Sequence, residues 1–208
     1  MKRCKTKYMS PYIETIRIQD GELKNLPYHQ ARFEWTRRSE LGLESHPDLN
    51  QMIRSYKGLA HGLVKCRIKY GREIEGIEFE PYTRRVVNSL KVVEADHISY
   101  GYKYFDRTAL DKLYTQRGTC DDILIIKNGC VTDSYVANVV FWNGEGWFTP
   151  DAPLLPGTMR ASLLEFGKID TARITLQDVG LYQKIRLINA MNDLEEGTEI
   201  PMERVSYQ

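Results

Sequence analysis

Residues 131–160 have the sequence VTDSYVANVVFWNGEGWFTPDAPLLPGTMR, the most strongly patterned stretch of this 208-residue chain. The stretch follows Asn128-Gly129, a dipeptide that favours a hairpin turn, and it contains a second such dipeptide, Asn143-Gly144. Three prolines within residues 150–157 predict a loop, and Thr158 then opens a helix. The stretch therefore predicts antiparallel strands followed by a loop that leads into a helix.

The first half of the chain mixes strand and helix patterns. Residues 12–19 alternate as a strand does, and Asp20-Gly21 turns the chain back. Residues 27–42 change to helical spacing with a glycine at the end, and a second helix is predicted over 48–61. Three further strands are predicted, over residues 63–70, 74–79 and 83–93.

The second half begins after residues 96–104, a polar, glycine-containing stretch that shows neither the strand nor the helix pattern. Its predicted elements are a helix from Asp106 to about Arg117, a strand over 122–127, the hairpins around 131–149, a short helix over 176–184 and a strand over 185–189. We therefore predict an α+β protein with a smaller α/β domain over residues 1–95, a connection over 96–104 and a larger domain over 105–208.

Composition excludes several classes of protein. The 29 Lys and Arg residues balance 28 Asp and Glu residues, so the chain lacks the basic surplus of a nucleic-acid-binding protein. Its apolar runs are far shorter than the roughly 20 residues of a membrane span. The basic start at residues 1–7 is not followed by the apolar segment of a signal peptide, so we expect a cytoplasmic protein. The four cysteines lack metal-ligand spacing and are expected to be reduced thiols, with no metal site.

Lys103 is a candidate nucleophile because aromatic residues flank it in Tyr100-Gly-Tyr-Lys-Tyr-Phe105. Apolar surroundings lower the pKa of a lysine, and its neutral amine can then form a Schiff base. A lysine that extends past its aromatic neighbours into water fits the same local pattern.

Four other residues each allow a functional and a structural interpretation. Thr158 opens a helix whose free N–H groups would bind a phosphate, although ordinary helix capping also fits. Asp133 on a strand needs a partner unless it faces solvent. His29 and Arg32 lie on one helical face, where they would bind an anion or be solvated.

The order of these segments resembles the class IV aminotransferases, the fold-type IV family of pyridoxal-phosphate enzymes. This family contains branched-chain and D-amino acid aminotransferases and 4-amino-4-deoxychorismate lyase. The resemblance covers residues 12–192 and rests on four segments: ETIR at 14–17 with HQAR at 29–32, KYFDR at 103–107, VTDSYVANVVF at 131–141 and PGTMR at 156–160. It implies a two-domain α+β fold like that of D-amino acid aminotransferase, with a barrel-like core in the larger domain, and a homodimer. Family members usually have an extra strand before the segment that starts at Tyr12, so a shortened N-terminus is expected.

The resemblance also implies pyridoxal 5'-phosphate as cofactor and assigns a role to each matching residue. Lys103 matches the lysine that binds the cofactor covalently and later moves protons. Asp133 stands where the family usually has a glutamate that keeps the pyridine nitrogen protonated. Arg32 matches the arginine that holds the phosphate, and Thr158 and Met159 match the loop whose N–H groups bind it.

Three further segments resemble those of aminodeoxychorismate lyases. Thr15 precedes Asp20-Gly21 as it does in those enzymes, Lys103 and Arg107 match their Lys-x-x-x-Arg, and Asn189 begins a segment similar to their Asn-Ala-Leu. Asn189 is therefore assigned to the cofactor site, and Thr15 and Arg107 to substrate contact, although an outward-facing Arg107 fits as well.

The prediction is a lyase of folate synthesis that acts on a small molecule and releases pyruvate and 4-aminobenzoate. Two alternatives stay open at this point. An aminotransferase of the branched-chain or D-amino acid type would use the same Lys103 and Asp133. A shortened relative without catalytic activity would bind the cofactor or a partner.

Overall fold

The structure is a computed structural model that describes residues 12–55 and 61–207. Within these ranges the chain forms two β-sheets, and helices join and cover their strands. The basic segment at residues 1–7 and Cys4 lie outside the described residues. No described helix is long and apolar enough to cross a membrane.

The first sheet has four antiparallel strands in the order β2-β1-β3-β4. They are β1 (Tyr12–Gln19), β2 (Glu22–Leu23), β3 (Leu63–Tyr70) and β4 (Ile74–Pro81). Even-numbered side chains of β1 and β3 point into the core of this sheet, whereas odd-numbered side chains of β3 are partly exposed on the opposite face. That opposite face carries Thr15 and, directly across from it, Arg67.

Two helices belong to this part of the chain, α1 (Leu26–Leu41) and α2 (Leu49–Arg54). Pro27 stands in the first turn of α1, where its missing N–H costs nothing, and Gly42 ends the helix with a φ of 63°. Phe33 of α1 packs in the core of the sheet with Tyr70. The same buried face of α1 includes His29, which is unusual for a titratable side chain.

The second sheet has nine strands. Seven follow the order β10-β9-β8-β7-β6-β5-β13, and off this path β11 pairs with β8 and β12 pairs with β11. The strands are β5 (Leu90–Glu94), β6 (Asp122–Lys127), β7 (Cys130–Ser134), β8 (Asn138–Trp142), β9 (Trp147–Pro150), β10 (Asp170–Ala172), β11 (Lys184–Ile188), β12 (Ile200–Pro201) and β13 (Val205–Ser206). Two helices accompany this sheet, α3 (Thr108–Tyr114) and α4 (Thr158–Glu165).

The strands predicted over 12–19, 63–70 and 122–127 form with those bounds, and the predicted Asn128-Gly129 turn has both residues at positive φ. The strand predicted over 83–93 is shorter, because only Leu90–Glu94 is extended, and it pairs with β6 of the second sheet although the prediction placed it in the first domain. The residues just before it are held instead by Asp121, whose carboxylate accepts the Asn88 N–H at 2.8 Å. The predicted division into domains and the barrel-like core otherwise stay predictions.

Two predicted helices differ from the structure. The helix predicted over 176–184 is wrong, because only a single 3-10 turn forms at Val179–Leu181. The Asp178 carboxylate accepts both the N–H and the hydroxyl of Thr175, at 2.9 and 2.7 Å, which favours a turn. The helix predicted over 48–61 ends at Arg54, and residues 56–60 of that prediction lie outside the described part of the chain.

Candidate active site

A cavity of about 280 Å³ is lined by residues of both sheets. Seven of the eight residues predicted for the site line it: Thr15, Arg32, Lys103, Arg107, Asp133, Thr158 and Asn189. These residues come from six separate segments of the chain, and the fold brings together side chains that lie up to 174 positions apart in the sequence.

Met159, the eighth predicted residue, does not line the cavity with its side chain. That side chain packs with Val140, Leu163 and Ile188, and its sulfur accepts a hydrogen bond from Asn25 Nδ2 at 3.5 Å. The prediction for Met159 concerned its backbone N–H, which belongs to the first turn of α4, where N–H groups have no carbonyl partner within the helix.

Lys103 lines the cavity with its amine uncommitted. Its carbonyl oxygen accepts the Ile13 N–H at 3.0 Å, which ties it to β1, while Nζ has no hydrogen-bond or ion-pair partner within residues 12–55 and 61–207. Burial lowers the pKa of this lysine to about 7, and the nearby Arg32, Arg107 and Arg67 act in the same direction. A large fraction of the amine is therefore uncharged at neutral pH, as a nucleophile or base requires.

Positive charge dominates the cavity wall. Five cationic side chains line it, and Asp133 is the one carboxylate among the lining residues. The five are Arg32, Lys65, Arg67, Lys103 and Arg107. Such a wall favours ligands that carry more than one negative charge.

Glu14, a residue to which the sequence assigned no role, holds one end of this site together. It is fully buried on β1, and its carboxylate accepts two hydrogen bonds from Arg32, from Nε at 2.9 Å and from Nη2 at 2.6 Å. His29 Nδ1 lies 2.7 Å from the same carboxylate. Burial alone would raise the pKa of Glu14, but Arg32 and His29 outweigh it and lower the pKa to about 2.

The signal for Glu14 was present in the sequence. Glu14 occupies the same face of β1 as Ile16 and Ile18, so the strand alternation places a carboxylate among core residues. A buried carboxylate needs a cationic partner, and the His29-x-x-Arg32 face of the next helix is the nearest supply.

The start of α4 forms an open anion site beside this cluster. Gly157 is the N-cap residue, and no side chain caps the helix, so ordinary capping does not explain Thr158. Thr158 Oγ1 instead lies 3.2 Å from His29 Nε2. Arg32 uses Nε and Nη2 for Glu14 and turns Nη1 towards the Pro156 carbonyl oxygen at 3.5 Å. Free N–H groups and a guanidinium at one end of the cavity suit a phosphate group.

Asp133 lies in the cavity wall with both carboxylate oxygens engaged. Asn138 Nδ2 donates to one oxygen at 2.5 Å and the Leu154 N–H donates to the other. Burial nevertheless raises the pKa of Asp133 to about 7. The carboxyl group is therefore poised so that a neighbouring positive charge, such as a protonated ring nitrogen, would ionise it.

Asn138 fixes the position of Asp133. Its amide also donates to the Leu155 carbonyl oxygen at 2.9 Å, and the amide oxygen lies so close to Gly157 that a Cβ there would overlap it. The glycine before Thr158 is thus required by close approach and not by backbone conformation, since its φ is −73°.

The remaining predicted residues occupy the opposite part of the cavity. Arg107 turns inward, since Nη2 donates to the Tyr135 carbonyl oxygen at 2.6 Å and the guanidinium lies 4.7 Å from the Tyr135 ring centre. Asn189 uses its side-chain oxygen to accept the Met191 and Asn192 N–H groups, at 2.9 and 3.0 Å. The structure thus gives Asn189 a turn-forming role at the cavity rim.

The whole set of donors fits pyridoxal 5'-phosphate. An uncapped helix start and Arg32 suit its phosphate, an uncommitted amine at Lys103 suits its aldehyde, and a buried carboxyl group at Asp133 suits its ring nitrogen.

Comparison with known proteins gives a consistent result. The sequence model of the family described as amino-transferase class IV matches residues 12–195. An uncharacterised Haemophilus influenzae protein is 40% identical over 188 residues, which is 89% of this chain and all of that protein. A Schizosaccharomyces pombe protein provisionally assigned as an aminodeoxychorismate lyase is 37% identical over 190 residues, which is 83% of this chain and 79% of that protein.

Solved structures agree. A crystal structure from Haemophilus somnus, provisionally assigned as a 4-amino-4-deoxychorismate lyase, superposes with a TM-score of 0.86 at 41% identity and covers 90% of this chain and 99% of its own. A Mycobacterium tuberculosis hypothetical aminotransferase in a pyridoxal-phosphate-bound form superposes with a TM-score of 0.75 at 18% identity, covering 92% of this chain and 80% of its own. At that identity the second likeness shows a shared fold.

We predict that Glu14 makes the free energy of unfolding depend on pH in the acidic range. Its pKa is lowered in the folded protein from 4.5 to about 2, so its stabilising contribution is complete above pH 4.5 and is lost as the pH falls towards 2. Urea unfolding of the native chain should lose roughly 3 kcal/mol from this source over that range. Glu14→Gln should lack this component, whereas Glu78→Gln, a change of an exposed strand glutamate, should keep it. Equal acid dependence in all three proteins would contradict the cluster.

We predict that Gly157→Ala weakens cofactor binding. The added methyl group displaces the Asn138 amide and with it Asp133, so we expect a free energy of unfolding lower by about 1–3 kcal/mol and weaker binding of pyridoxal phosphate in a fluorescence titration. Gly180→Ala is the matched control, because a Cβ there meets nothing within 4 Å. The same affinity in both variants would refute the role given to this close approach.

Proposed function

The chain belongs to the class IV aminotransferase family of pyridoxal-phosphate enzymes, and from this premise we propose that it is a 4-amino-4-deoxychorismate lyase. The observation that carries the proposal is the cavity wall, in which four other cationic side chains lie around the Lys103 amine. The H. somnus and S. pombe similarities support the same activity.

The residues that would hold the cofactor are those whose geometry is described above. Arg32 and the first N–H groups of α4 would bind the phosphate, Asp133 would face the ring nitrogen, and Lys103 would bond covalently. Bound pyridoxal phosphate supplies an electron sink for the charge that develops when the substrate carbon bearing the amine loses its proton.

Lys103 performs the proton transfer in this proposal. Lys103 would hold the cofactor covalently until the substrate amine took its place, and Nζ would then be a free amine in surroundings whose burial lowers its pKa. Nζ then takes the proton from the carbon that bears the substrate amine. The bond from the ring to the enolpyruvyl oxygen breaks with its electron pair going to that oxygen, and the ring becomes aromatic as 4-aminobenzoate. The departing enolate takes up a proton at its methylene carbon to become pyruvate, which balances the proton taken by Nζ.

The cations beyond the phosphate end suit this substrate. Both products carry a carboxylate, so the substrate carries two. Arg67 has no acidic or carbonyl partner within the described residues. It lies on β3 directly opposite Thr15 of β1, and both residues line the cavity. Lys65 is paired with Glu80 at 2.6 Å. Arg67 and Arg107 therefore provide the positive charge for substrate carboxylates in addition to the charge used for the phosphate.

The two alternative functions would use the same residues, but they differ from the lyase in the reaction that those residues would carry out. An aminotransferase would also use Lys103 and Asp133, but it would return the proton to the cofactor and release no pyruvate from aminodeoxychorismate. A relative without catalytic activity would bind the cofactor and turn over neither kind of substrate. The homodimer stays a prediction.

We predict that Lys103→Ala lowers pyruvate release from enzymatically generated aminodeoxychorismate by about 1,000-fold. It should also remove the visible absorbance band that pyridoxal phosphate gives with the native protein. Lys112→Ala, which changes an exposed lysine of α3, should leave both unchanged. The band without pyruvate release from the native protein would support an aminotransferase if an amino donor is converted, and the non-catalytic relative if none is. The absence of both band and pyruvate would contradict the cofactor assignment.

We predict that Arg67→Met raises the KM for aminodeoxychorismate by about 10- to 100-fold with a smaller effect on kcat, because it removes a charged partner of a substrate carboxylate. Steady-state kinetics of pyruvate release measure this. Arg72→Met serves as the control, since Arg72 is exposed and outside the cavity. An unchanged KM in Arg67→Met would remove Arg67 from the substrate site.

A further inference from the structure

His29 lies at the centre of a buried chain of hydrogen bonds that the proposed reaction does not use. Its side chain is completely buried. Nδ1 lies 2.7 Å from Glu14 Oε2 and Nε2 lies 3.2 Å from Thr158 Oγ1. The chain Arg32–Glu14–His29–Thr158 thus joins α1 and β1 to the first residue of α4, and its two ends are two of the residues that line the phosphate end of the cavity.

We propose that His29 is a positioning residue that directs the Thr158 hydroxyl and takes up a proton when a phosphate group occupies this end of the cavity. The proposal rests on the cofactor assignment of the proposed function.

The donors and acceptors of this chain determine which of its atoms carry a hydrogen. The Glu14 carboxylate is ionised, so it can only accept hydrogen bonds, and His29 Nδ1 must carry a hydrogen and donate to it. A neutral imidazole then has a bare Nε2, which can only accept. The Thr158 hydroxyl therefore donates its single hydrogen to His29.

A phosphate group changes this count. A dianionic phosphate offers only acceptors, so the Thr158 hydroxyl must turn its hydrogen towards the phosphate to bond it. Lone pairs of Thr158 Oγ1 and His29 Nε2 would then face each other at 3.2 Å, unless Nε2 gains a proton. A protonated imidazole donates to Glu14 through Nδ1 and to Thr158 through Nε2, which satisfies every group in the chain.

The charges around His29 agree with proton uptake on binding. Burial lowers the pKa of His29; Glu14 opposes this shift, and Arg32 on the same helix and Lys103 strengthen it. The N-terminal dipole of α4 also disfavours an imidazolium. A bound dianion would reverse the balance, because it offsets Arg32 and the helix dipole and leaves Glu14 to stabilise the cation.

The test uses pyridoxine 5'-phosphate, which has the phosphate but no aldehyde and therefore binds without any reaction at Lys103. Calorimetric titration of the full chain at pH 7.5, in two buffers with different ionisation enthalpies, gives the number of protons taken up. Pyridoxine without phosphate is the matched ligand control.

We expect the native protein to take up close to one proton with pyridoxine 5'-phosphate and none with pyridoxine. Thr158→Val and His29→Asn should bind the phosphate ester about 10-fold more weakly and without uptake. Thr158→Ser, which restores the hydroxyl, should recover uptake and affinity. The affinity of the native protein should also fall with rising pH above neutrality, by up to tenfold per unit, while that of Thr158→Val stays nearly constant.

Binding of the ester without proton uptake by the native protein would overturn this proposal alone, because the backbone N–H groups would then bind the phosphate unaided. Equal uptake by the native protein and Thr158→Val would overturn it as well. Absence of any binding of the ester would overturn the cofactor assignment and this proposal with it.

Discussion

The buried carboxylate of Glu14 is the interaction on which the rest of the site depends. One anion on β1 neutralises Arg32, orders His29 and, through His29, reaches the first residue of α4. A buried ion of this kind is costly unless each of its oxygens is paired, and here three donors from α1 pair them. The strand, the helix and the phosphate end of the cavity are therefore fixed by the same few bonds.

A second buried carboxyl group, that of Asp133, lies in the opposite wall of the cavity, where its partners differ from those of Glu14. Asp133 accepts hydrogen bonds from Asn138 and from the Leu154 N–H, but no cation of the described residues forms an ion pair with it. Burial therefore outweighs these bonds and the more distant Arg160, and the pKa of Asp133 is raised where that of Glu14 is lowered. Lys103 lies in the same cavity with its own pKa reduced to about 7. The site thus holds an acid and an amine that both titrate near neutral pH, which is the condition that proton transfer requires.

Sequence patterns correctly predicted those strands, turns and helix ends that are determined by residues close together in the chain. The alternation in β1, the Asn128-Gly129 turn and the glycine that ends α1 formed as predicted, because neighbouring residues determine each of them. The pairing of β5 with β6 and β13 joins residues far apart in sequence, which periodicity does not report. Seven predicted site residues line one cavity. They could be chosen from the sequence because the family resemblance linked segments that are far apart in the chain. Glu14 was missed because a carboxylate on a core face is significant only once its partner helix is placed.

The most direct test of this account is to locate the lysine that binds pyridoxal phosphate. The protein is incubated with the cofactor at neutral pH, the linkage is reduced with borohydride, and the modified peptide is identified by mass spectrometry. We predict stoichiometric modification of Lys103 that excess inorganic phosphate slows, since the Lys103 amine lines the cavity with a lowered pKa and phosphate would compete for Arg32 and the start of α4. Modification spread over surface lysines, with Lys103 unlabelled, would contradict it.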